Sequence, residues 1–385
     1  MSINEVIIWI LMICMVAGGI DFAIGNRFGL GKQFEEGFMA LGPLALAMVG
    51  VVSLAPVLAK LLAPIVVPVY GALGADPSMF ATTLLANDMG GYPLALQLAE
   101  DPDAGRLAGL ILGAMMGPTI VFTIPVALGI IDKSDRGYLA KGVLAGIVTI
   151  PIGVFVGGMV AGFPMMMVLM NLIPIVIAAV AIAIGLWLVP EAMTKGFEIF
   201  GKGLTSLIAI GLTISVFEFM TSTKITPPGW DLAPPTDGLE IVGSIAMVLL
   251  GAFPAVHLIV KLLSKPLGHA GRLIGINDAA AGGMIASLAN NIPMFEIYKN
   301  MDARGKILNA AFAVSAAFTF GDHLGFTAGV DREMIAPMIS GKLVAGITGV
   351  IVAYILFSRS YGPATEEDNH IGEDEDATVA EAVEG

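Results

Sequence analysis

Residues 42–62, GPLALAMVGVVSLAPVLAKLL, and residues 243–263, GSIAMVLLGAFPAVHLIVKLL, are two versions of one segment within a single chain. At a spacing of 201 positions they share six identical residues in 21. Two later matches follow in the same order: Leu85-Ala86-Asn87 with Leu288-Ala289-Asn290, and Ala145-Gly146-Ile147 with Ala345-Gly346-Ile347. An apolar composition raises the number of chance identities, so single matches mean little. The matching segments nevertheless keep the same order over more than a hundred residues. That order indicates an internal repeat.

The composition is that of a membrane protein. The 385 residues are 56% hydrophobic and 13% charged, and their mean hydropathy of +0.87 excludes an ordinary soluble domain. Several apolar runs exceed the roughly 20 residues that cross the hydrocarbon core of a bilayer. Much of the net charge of −13 comes from nine acidic side chains in residues 361–385, which hold no Lys or Arg. We predict a transmembrane domain over residues 1–360 and a disordered acidic tail over 361–385.

The apolar runs predict an all-α polytopic membrane protein with about nine transmembrane helices and two broken segments. The predicted spans are 3–24, 37–60, 105–131, 136–161, 165–190, 196–221, 239–263, 305–329 and 332–357. The stretches 61–100 and 264–300 each contain a short apolar segment that is broken by Gly, Pro and Asn. Broken backbone is tolerated at membrane depth only where protein buries it or where it lines a cavity. Both stretches are therefore predicted to be re-entrant hairpins or discontinuous helices.

Basic residues flank the two halves of the chain in opposite ways. The flanks of the first broken stretch hold two basic residues, whereas those of the second hold six. The next loop of the first half contains Lys133, Arg136 and Lys141, whereas the matching region of the second half has only Arg332 and Lys342. Because basic loops favour the cytoplasmic side, this opposite bias indicates that one half is inverted relative to the other.

The number of spans leads to the same conclusion. Five spans separate the starts of the two repeats, and an odd number requires inversion. We predict repeats at about 34–161 and 236–358, joined by linker spans at 162–235. The N-terminus is then outside and the acidic tail lies in the cytoplasm. Inverted repeats in a polytopic membrane protein are typical of secondary transporters, which bind substrate where the two halves meet.

Polar side chains inside the apolar runs are the candidate site. Such groups cost a few kcal/mol each and are functional hypotheses by default. The candidate substrate-binding residues are Asn87, Asp88, Asn290, Asn291, Asp322, His323, Glu35 and Glu36. Together they suit a small ligand that bears a positive charge and a hydrogen-bonding group. A carboxylate pairs with an ammonium ion, and an amide or imidazole group binds a hydroxyl.

Structural roles stay open for each of these residues. Asp88 can cap a half-helix, and Asp322 and His323 can pair only with each other. Asn290 and Asn291 can satisfy backbone groups that the break leaves free. His323 can also relay a proton, because imidazole titrates near neutral pH.

The sequence gives less specific predictions for Glu35 and Glu36 of this set and for two threonines. Glu35 and Glu36 precede the second predicted span, and either an interfacial position or a position along the pathway fits them. Thr119 and Thr123 stand beside prolines, where their hydroxyls can bond carbonyl groups freed by a kink.

No metal or cofactor is expected. Cys14 is the single cysteine, so the chain has neither an intramolecular disulfide nor a Cys metal site. The basic residues are scattered singly, which gives no sign of nucleic-acid binding.

Five motifs carry a family resemblance. They are GKQFEEGFMA at 31–40, DMGG at 88–91, MGPTIVF at 116–122, ANNIPMF at 289–295 and GDHLGF at 321–326. The chain resembles the ethanolamine-utilisation transporter (EutH) family of bacterial inner membranes over essentially its whole membrane portion. It departs from the family in a short loop near Gly162 and in its acidic tail.

The resemblance implies a multi-pass protein of the bacterial inner membrane that takes up ethanolamine. Its partners would be that small molecule and the lipid bilayer, and the oligomeric state stays open. The alternatives are a cation-coupled carrier of another small amine or amino acid, or an integral-membrane enzyme that acts on an amine or lipid head group. No nucleophile–base–orienter set and no metal-ligand spacing supports an enzyme.

Overall fold

The computed structural model describes residues 2–363, except the side chains of 263–270, 272 and 360. Every regular element in this part of the chain is helical, which confirms the prediction of an all-α membrane protein. The predicted acidic tail lies outside the described residues from position 364 onward.

Sixteen helices, labelled here in chain order, make up the described part of the chain. They are α1 (Ile3–Ala23), α2 (Leu30–Met39), α3 (Leu41–Ala72), α4 (Ser78–Leu84), α5 (Gly91–Leu98), α6 (Pro102–Ile130), α7 (Arg136–Ile147), α8 (Ile150–Val160), α9 (Met165–Leu188), α10 (Pro190–Thr221), α11 (Pro235–Ile274), α12 (Asp278–Ser287), α13 (Asn291–Glu296), α14 (Ala303–Ala316), α15 (Asp322–Val330) and α16 (Ile335–Leu356). Eight segments in the described part are long and apolar enough to cross a membrane: α1, α2–α3, α6, α7–α8, α9, α10, α11 and α16.

The helix α6 lies at the centre of the bundle. The most apolar window of α6 is 94% buried, whereas the corresponding windows of α1 and α10 are each 22% buried. The outer helices therefore expose large apolar side chains, among them Trp9, Ile177 and Ile210. A helix that is apolar on all sides is stable in lipid, where these side chains contact acyl chains.

The first broken stretch is a re-entrant hairpin. One carboxylate oxygen of Asp76, which precedes α4, accepts the backbone N–H groups of Glu100 at 3.0 Å and Asp101 at 2.9 Å, beyond α5. The two ends of the stretch therefore meet at one side of the bundle. The stretch begins later than predicted, because α3 continues through three internal prolines to Ala72.

The second broken stretch has the same construction. The backbone N–H of Asn277, before α12, donates to Asp302 Oδ1 at 2.9 Å, and its side-chain amide donates to the Asn300 carbonyl at 2.8 Å. The predicted start at 264 was wrong here too, since α11 extends to Ile274. Both stretches thus enter and leave the bundle on one side, as predicted.

Two ion pairs show that α6 and the α14–α15 segment run antiparallel. Arg106, near the start of α6, bonds Asp331, just after α15, with 2.7 Å between Nε and Oδ2. Lys306, near the start of α14, bonds Asp135, just after α6, with 2.7 Å between Nζ and Oδ1. An inverted repeat requires this relative direction for its matching segments. The inverted repeat itself stays a prediction.

The eighth predicted span, 305–329, is wrong as a continuous helix. It ends at Ala316, and the backbone turns through Phe318 at φ +61° before α15 begins. The N–H groups of Phe318 and Phe320 donate to the carbonyls of Ser287 and Leu288, both at 3.0 Å. Bonds to the neighbouring hairpin replace the helical ones, and hydropathy alone cannot detect such an exchange.

Candidate functional site

The middle of α6 departs from α-helical geometry. Residues Leu107–Ile111 and Thr119–Thr123 form π-helical turns, and Leu112–Ala114 forms a 3-10 turn between them. Such departures leave carbonyl groups without their usual helical donors, and they are frequent at functional sites. The interior of the bundle therefore contains two irregular segments, this one and residues 317–321 of the other half.

The tip of each hairpin packs directly on one of these irregular segments. A Cβ atom on Gly117 would lie 2.0 Å from the Leu85 carbonyl oxygen, and one on Gly321 would lie 2.2 Å from the Ala289 carbonyl oxygen. Only glycine allows backbone to approach backbone this closely. The breaks of both hairpins are thereby placed in the interior of the protein.

The residues of the second contact lie 204 positions after those of the first, Gly321 after Gly117 and Ala289 after Leu85. This spacing changes the alignment of the two halves that the sequence suggested. Asn87 then corresponds to Asn291, whereas the sequence comparison had placed it opposite Asn290.

Side chains from the opposite half satisfy two of the freed carbonyls. The hydroxyl of Thr119 reaches the Val314 carbonyl of the opposite half at 3.0 Å and also lies 2.8 Å from the Met115 carbonyl of its own helix. The ammonium group of Lys342 donates to the Ala114 carbonyl. The prediction that Thr119 bonds a freed carbonyl is confirmed.

Lys342 lies in the interior of the bundle, which corrects its assignment to a loop. It was counted among the basic residues of a loop region, but its side chain is only 1% exposed in the interior half of α16. The signal was present, because position 342 lies ten residues inside the predicted span 332–357. A charged residue so deep in a span belongs among the site candidates.

Lys342 and His323 form a buried pair. His323 is 3% exposed, and 3.0 Å separates its Nδ1 atom from Lys342 Nζ. The alternative that His323 pairs only with Asp322 does not describe this structure, because the lysine occupies one nitrogen of the ring. Phe318 packs against the imidazole with ring centres 5.3 Å apart, and against Phe122 of the first half at 5.4 Å.

Asp88 and Asp322 approach each other from opposite halves. Asp88 lies in the 3-10 turn at the tip of the first hairpin, and Asp322 is the first residue of α15. That turn packs against α15, and Asp88 lies within electrostatic range of both Asp322 and Lys342. Both carboxylates are half-buried. No side chain caps α5, so the capping role considered for Asp88 is not observed.

Asn87 and Asn291 are buried amides with unused polar atoms. The Asn87 Oδ1 atom accepts the Asp88 N–H at 3.0 Å, and Asn291 Nδ2 lies 3.1 Å from the Thr123 hydroxyl. Asn87 Nδ2 and Asn291 Oδ1 have no hydrogen-bond partner among the described residues. Thr123 therefore orients a site asparagine and does not bond a freed carbonyl. One donor and one acceptor therefore remain free at the tips of the two hairpins.

Three predicted site residues take other positions. Asn290 caps α13 through a 2.8 Å bond from the Ile292 N–H to its Oδ1 atom, which is the structural role considered for it. Glu35 and Glu36 lie on the exposed face of α2, where Glu36 is 3.7 Å from Lys32. The interior cluster consists of Asn87, Asp88, Asn291, Asp322, His323 and Lys342.

A separate cavity of about 1500 Å³ opens between α6, α7, α9 and α10. Its polar rim is mostly basic and contains Lys133, Arg136, Lys195, Lys202, Glu191 and Glu198. None of the cluster residues lines it. The excess of positive charge on its rim disfavours a cationic ligand there, and the interior cluster is the better candidate for such a ligand.

Comparison with known proteins gives one family. Residues 3–356 match the family described as "Ethanolamine utilisation protein, EutH". A probable ethanolamine permease EutH of Listeria monocytogenes is 61% identical over 359 residues, which cover 93% of this chain and 95% of that protein. Probable ethanolamine permeases EutH of Salmonella typhimurium and Escherichia coli are 51% and 50% identical, over 93% and 96% of this chain and 97% and 99% of their own lengths. No solved structure matches the chain significantly.

Proposed function

Because the chain belongs to the EutH family of ethanolamine-utilisation proteins, we propose that it carries ethanolamine across the bacterial inner membrane. The observation that carries this proposal is the pair of carboxylates, Asp88 and Asp322, which come from opposite halves and lie within electrostatic range of each other where the turn at 87–89 packs on α15. The relatives at 50–61% identity are each named as a probable ethanolamine permease EutH.

The chemistry of ethanolamine fits this cluster. Its primary amine has a pKa near that of a lysine side chain, about 10, so the molecule is almost wholly a cation at pH 7 and crosses lipid poorly. Asp88 and Asp322 are the counter-ions for the ammonium group. The free Nδ2 of Asn87 and the free Oδ1 of Asn291 are the donor and acceptor for the hydroxyl.

In this proposal the two ion pairs between the halves close the two ends of the route that the substrate takes across the membrane. The Arg106–Asp331 pair lies at the end where α6 begins, and the Lys306–Asp135 pair lies where α6 ends. Opening one pair while the other stays closed would expose the cluster to one side of the membrane at a time. The inverted halves supply equivalent bonds for both states. With the N-terminus outside, the basic loops of the first half face the cytoplasm.

Uptake of labelled ethanolamine by proteoliposomes tests the proposal. The wild-type protein should accumulate or equilibrate label faster than protein-free vesicles, and Asp88→Asn or Asp322→Asn should abolish this uptake. Asp231→Asn is the control, because Asp231 is an exposed aspartate paired with Lys224 at 2.5 Å. Separate runs with a Na⁺ gradient, a pH gradient and neither gradient identify the coupling ion.

Three outcomes would contradict the proposal. Uptake by both site variants at the wild-type rate would show that the cluster does not bind the substrate. Conversion of ethanolamine into a product by purified protein in detergent, where no gradient exists, would favour an enzyme. Competition by other small amines that is stronger than competition by ethanolamine would point to a different cargo.

A further inference from the structure

Lys342 places a positive charge inside a site that is proposed to bind a cation. Its side chain is 1% exposed, and among the described residues no carboxylate oxygen lies within 4.0 Å of its Nζ atom. Its recorded partners are the Ala114 carbonyl and His323 Nδ1. An ammonium group at such a depth costs about 3 kcal/mol on insertion scales. A residue with this cost calls for a reason beyond packing.

The need to satisfy a carbonyl group that has lost its helical donor does not explain why position 342 carries a charged side chain. The Val314 carbonyl in the other half receives the neutral hydroxyl of Thr119 at 3.0 Å. A neutral donor is therefore enough to satisfy a carbonyl at such a break. The position 200 residues before Lys342 is Gly142, which packs on α14 without any polar group. The charge at 342 has no counterpart in the first half.

The lysine–histidine pair is joined by one hydrogen bond. Two nitrogen atoms 3.0 Å apart share one hydrogen, so one nitrogen donates it and the other supplies a lone pair. Lys342, protonated or neutral, donates to the lone pair of a neutral imidazole, or a neutral Lys342 accepts from the ring N–H. A doubly protonated pair would place two positive charges in contact, which an apolar interior disfavours.

Charge balance connects this proton to the substrate. Lys342 lies within electrostatic range of Asp88, which in turn lies within range of Asp322. Two carboxylates within range of each other in an interior site hold one proton between them, so the empty pair carries one negative charge, which the lysine ammonium offsets. A substrate ammonium ion brings a second positive charge to the same carboxylates. Since the membrane interior disfavours excess charge, a proton has to leave as the cation binds.

Other ionisable groups are too peripheral to take this role. The helices packed on α16 carry such side chains near their ends, while α8 carries none. These side chains are Arg136, Tyr138 and Lys141 of α7, Arg304 and Lys306 of α14, Asp103 and Arg106 of α6, and Glu5 and Asp21 of α1, to which the Cys14 thiol in the middle of α1 is added. The turns on either side of α16 add Arg332, Glu333 and Arg359, and α16 itself carries Tyr354 near its end.

We propose that the cluster of Asp88, Asp322, His323 and Lys342 releases one proton for each ammonium ion that it binds. The inference rests on the proposed transport of ethanolamine. The step balances: ethanolammonium and the protonated cluster give the occupied cluster and a free proton, with no change in the charge of the site. Lys342 is the resident cation that makes this exchange necessary. Transport of the cation is then exchange against H⁺.

Titration calorimetry on the purified full-length protein tests the exchange. Ethanolamine is titrated in phosphate and in HEPES, whose different heats of ionisation report the number of protons released. The wild-type protein should release about one proton per ethanolamine and bind roughly tenfold more tightly for each pH unit of increase where the exchanging proton is held. Lys342→Gln keeps a donor for the Ala114 carbonyl but cannot ionise. This variant should bind with little proton release and with a Kd that is flat with pH.

Lys141→Gln is the matched control. Lys141 lies on the neighbouring α7 and bonds the Tyr361 hydroxyl at 2.8 Å, outside the cluster. This control should release protons as the wild-type protein does. Wild-type binding without proton release would overturn the exchange while leaving the transport proposal intact, and so would unchanged release by Lys342→Gln. Absence of ethanolamine binding by the folded wild-type protein would overturn the transport proposal and this inference with it. The number of protons that the wild-type protein releases for each ethanolamine bound tests the exchange even if the Lys342→Gln variant does not fold.

Discussion

Replacement of Asp88 by asparagine removes one negative charge from the cluster and leaves its shape almost unchanged. The two side chains have nearly the same volume, so packing at the tip of the hairpin should be kept. No other described side chain donates a hydrogen bond to the Asp88 carboxylate, and no helix depends on it as a cap. The substitution should therefore act on ligand binding more than on folding.

The size of the effect follows from what the carboxylate does for an ammonium ion. A hydrogen bond to a charged group contributes about 1.5–3 kcal/mol. Asp322 remains within range as a second carboxylate, so part of the attraction survives. We expect a loss of about 2–3 kcal/mol, which corresponds to roughly a 30- to 150-fold weaker Kd for ethanolamine.

Calorimetry on detergent-purified protein measures this change, and the melting temperature of each variant shows whether the protein is folded. Asp231→Asn is the control for the loss of one aspartate, because Asp231 is 80% exposed and lies in a loop. A Kd within about twofold of the wild-type value in a folded Asp88→Asn protein would refute the assignment of Asp88 as a counter-ion.

Two further predictions concern stability. Gly321→Ala should lower the melting temperature by an amount equivalent to about 1–3 kcal/mol, because its new Cβ would meet the Ala289 carbonyl. Gly243→Ala is the control and should be neutral, because position 243 has open space around it. Equal melting temperatures of the two variants would show that the hairpin tip is not closely packed. Lys306→Gln should cost about 3–5 kcal/mol, because it leaves a buried Asp135 unpaired, whereas Lys202→Gln breaks an exposed pair and should cost about 0–1 kcal/mol. Equal losses in thermal melts of these two variants would contradict the burial of the Lys306 pair.

Most of the architecture was predictable from the sequence because lipid imposes strict rules on it. Apolar runs near 20 residues have to be helices, and interruptions by Gly, Pro and Asn have to be buried. These rules were enough to locate both hairpins. They failed at the ends of α3 and α11, where internal prolines were tolerated, and at residues 317–321, where an apolar run is not helical.

The site was less predictable, for reasons that Lys342 and Asn290 illustrate. Lys342 was assigned to a loop by counting charges, although its place within a span was readable from the same sequence. Asn290 and Asn291 are adjacent and identical in type, yet one caps a helix and the other reaches Thr123 of the opposite half. Which of two neighbouring amides faces the site depends on a shift of one residue at the break. Sequence periodicity does not determine such a shift.

A structure of the protein with ethanolamine bound is the most direct test of the interior site. We expect the ligand nitrogen to lie within hydrogen-bonding distance of a carboxylate oxygen of Asp88 or Asp322. The ligand hydroxyl should lie beside Asn87 or Asn291. Ethanolamine bound instead in the basic-rimmed cavity between α6, α7, α9 and α10, with the cluster unoccupied, would contradict the site and the transport path built on it.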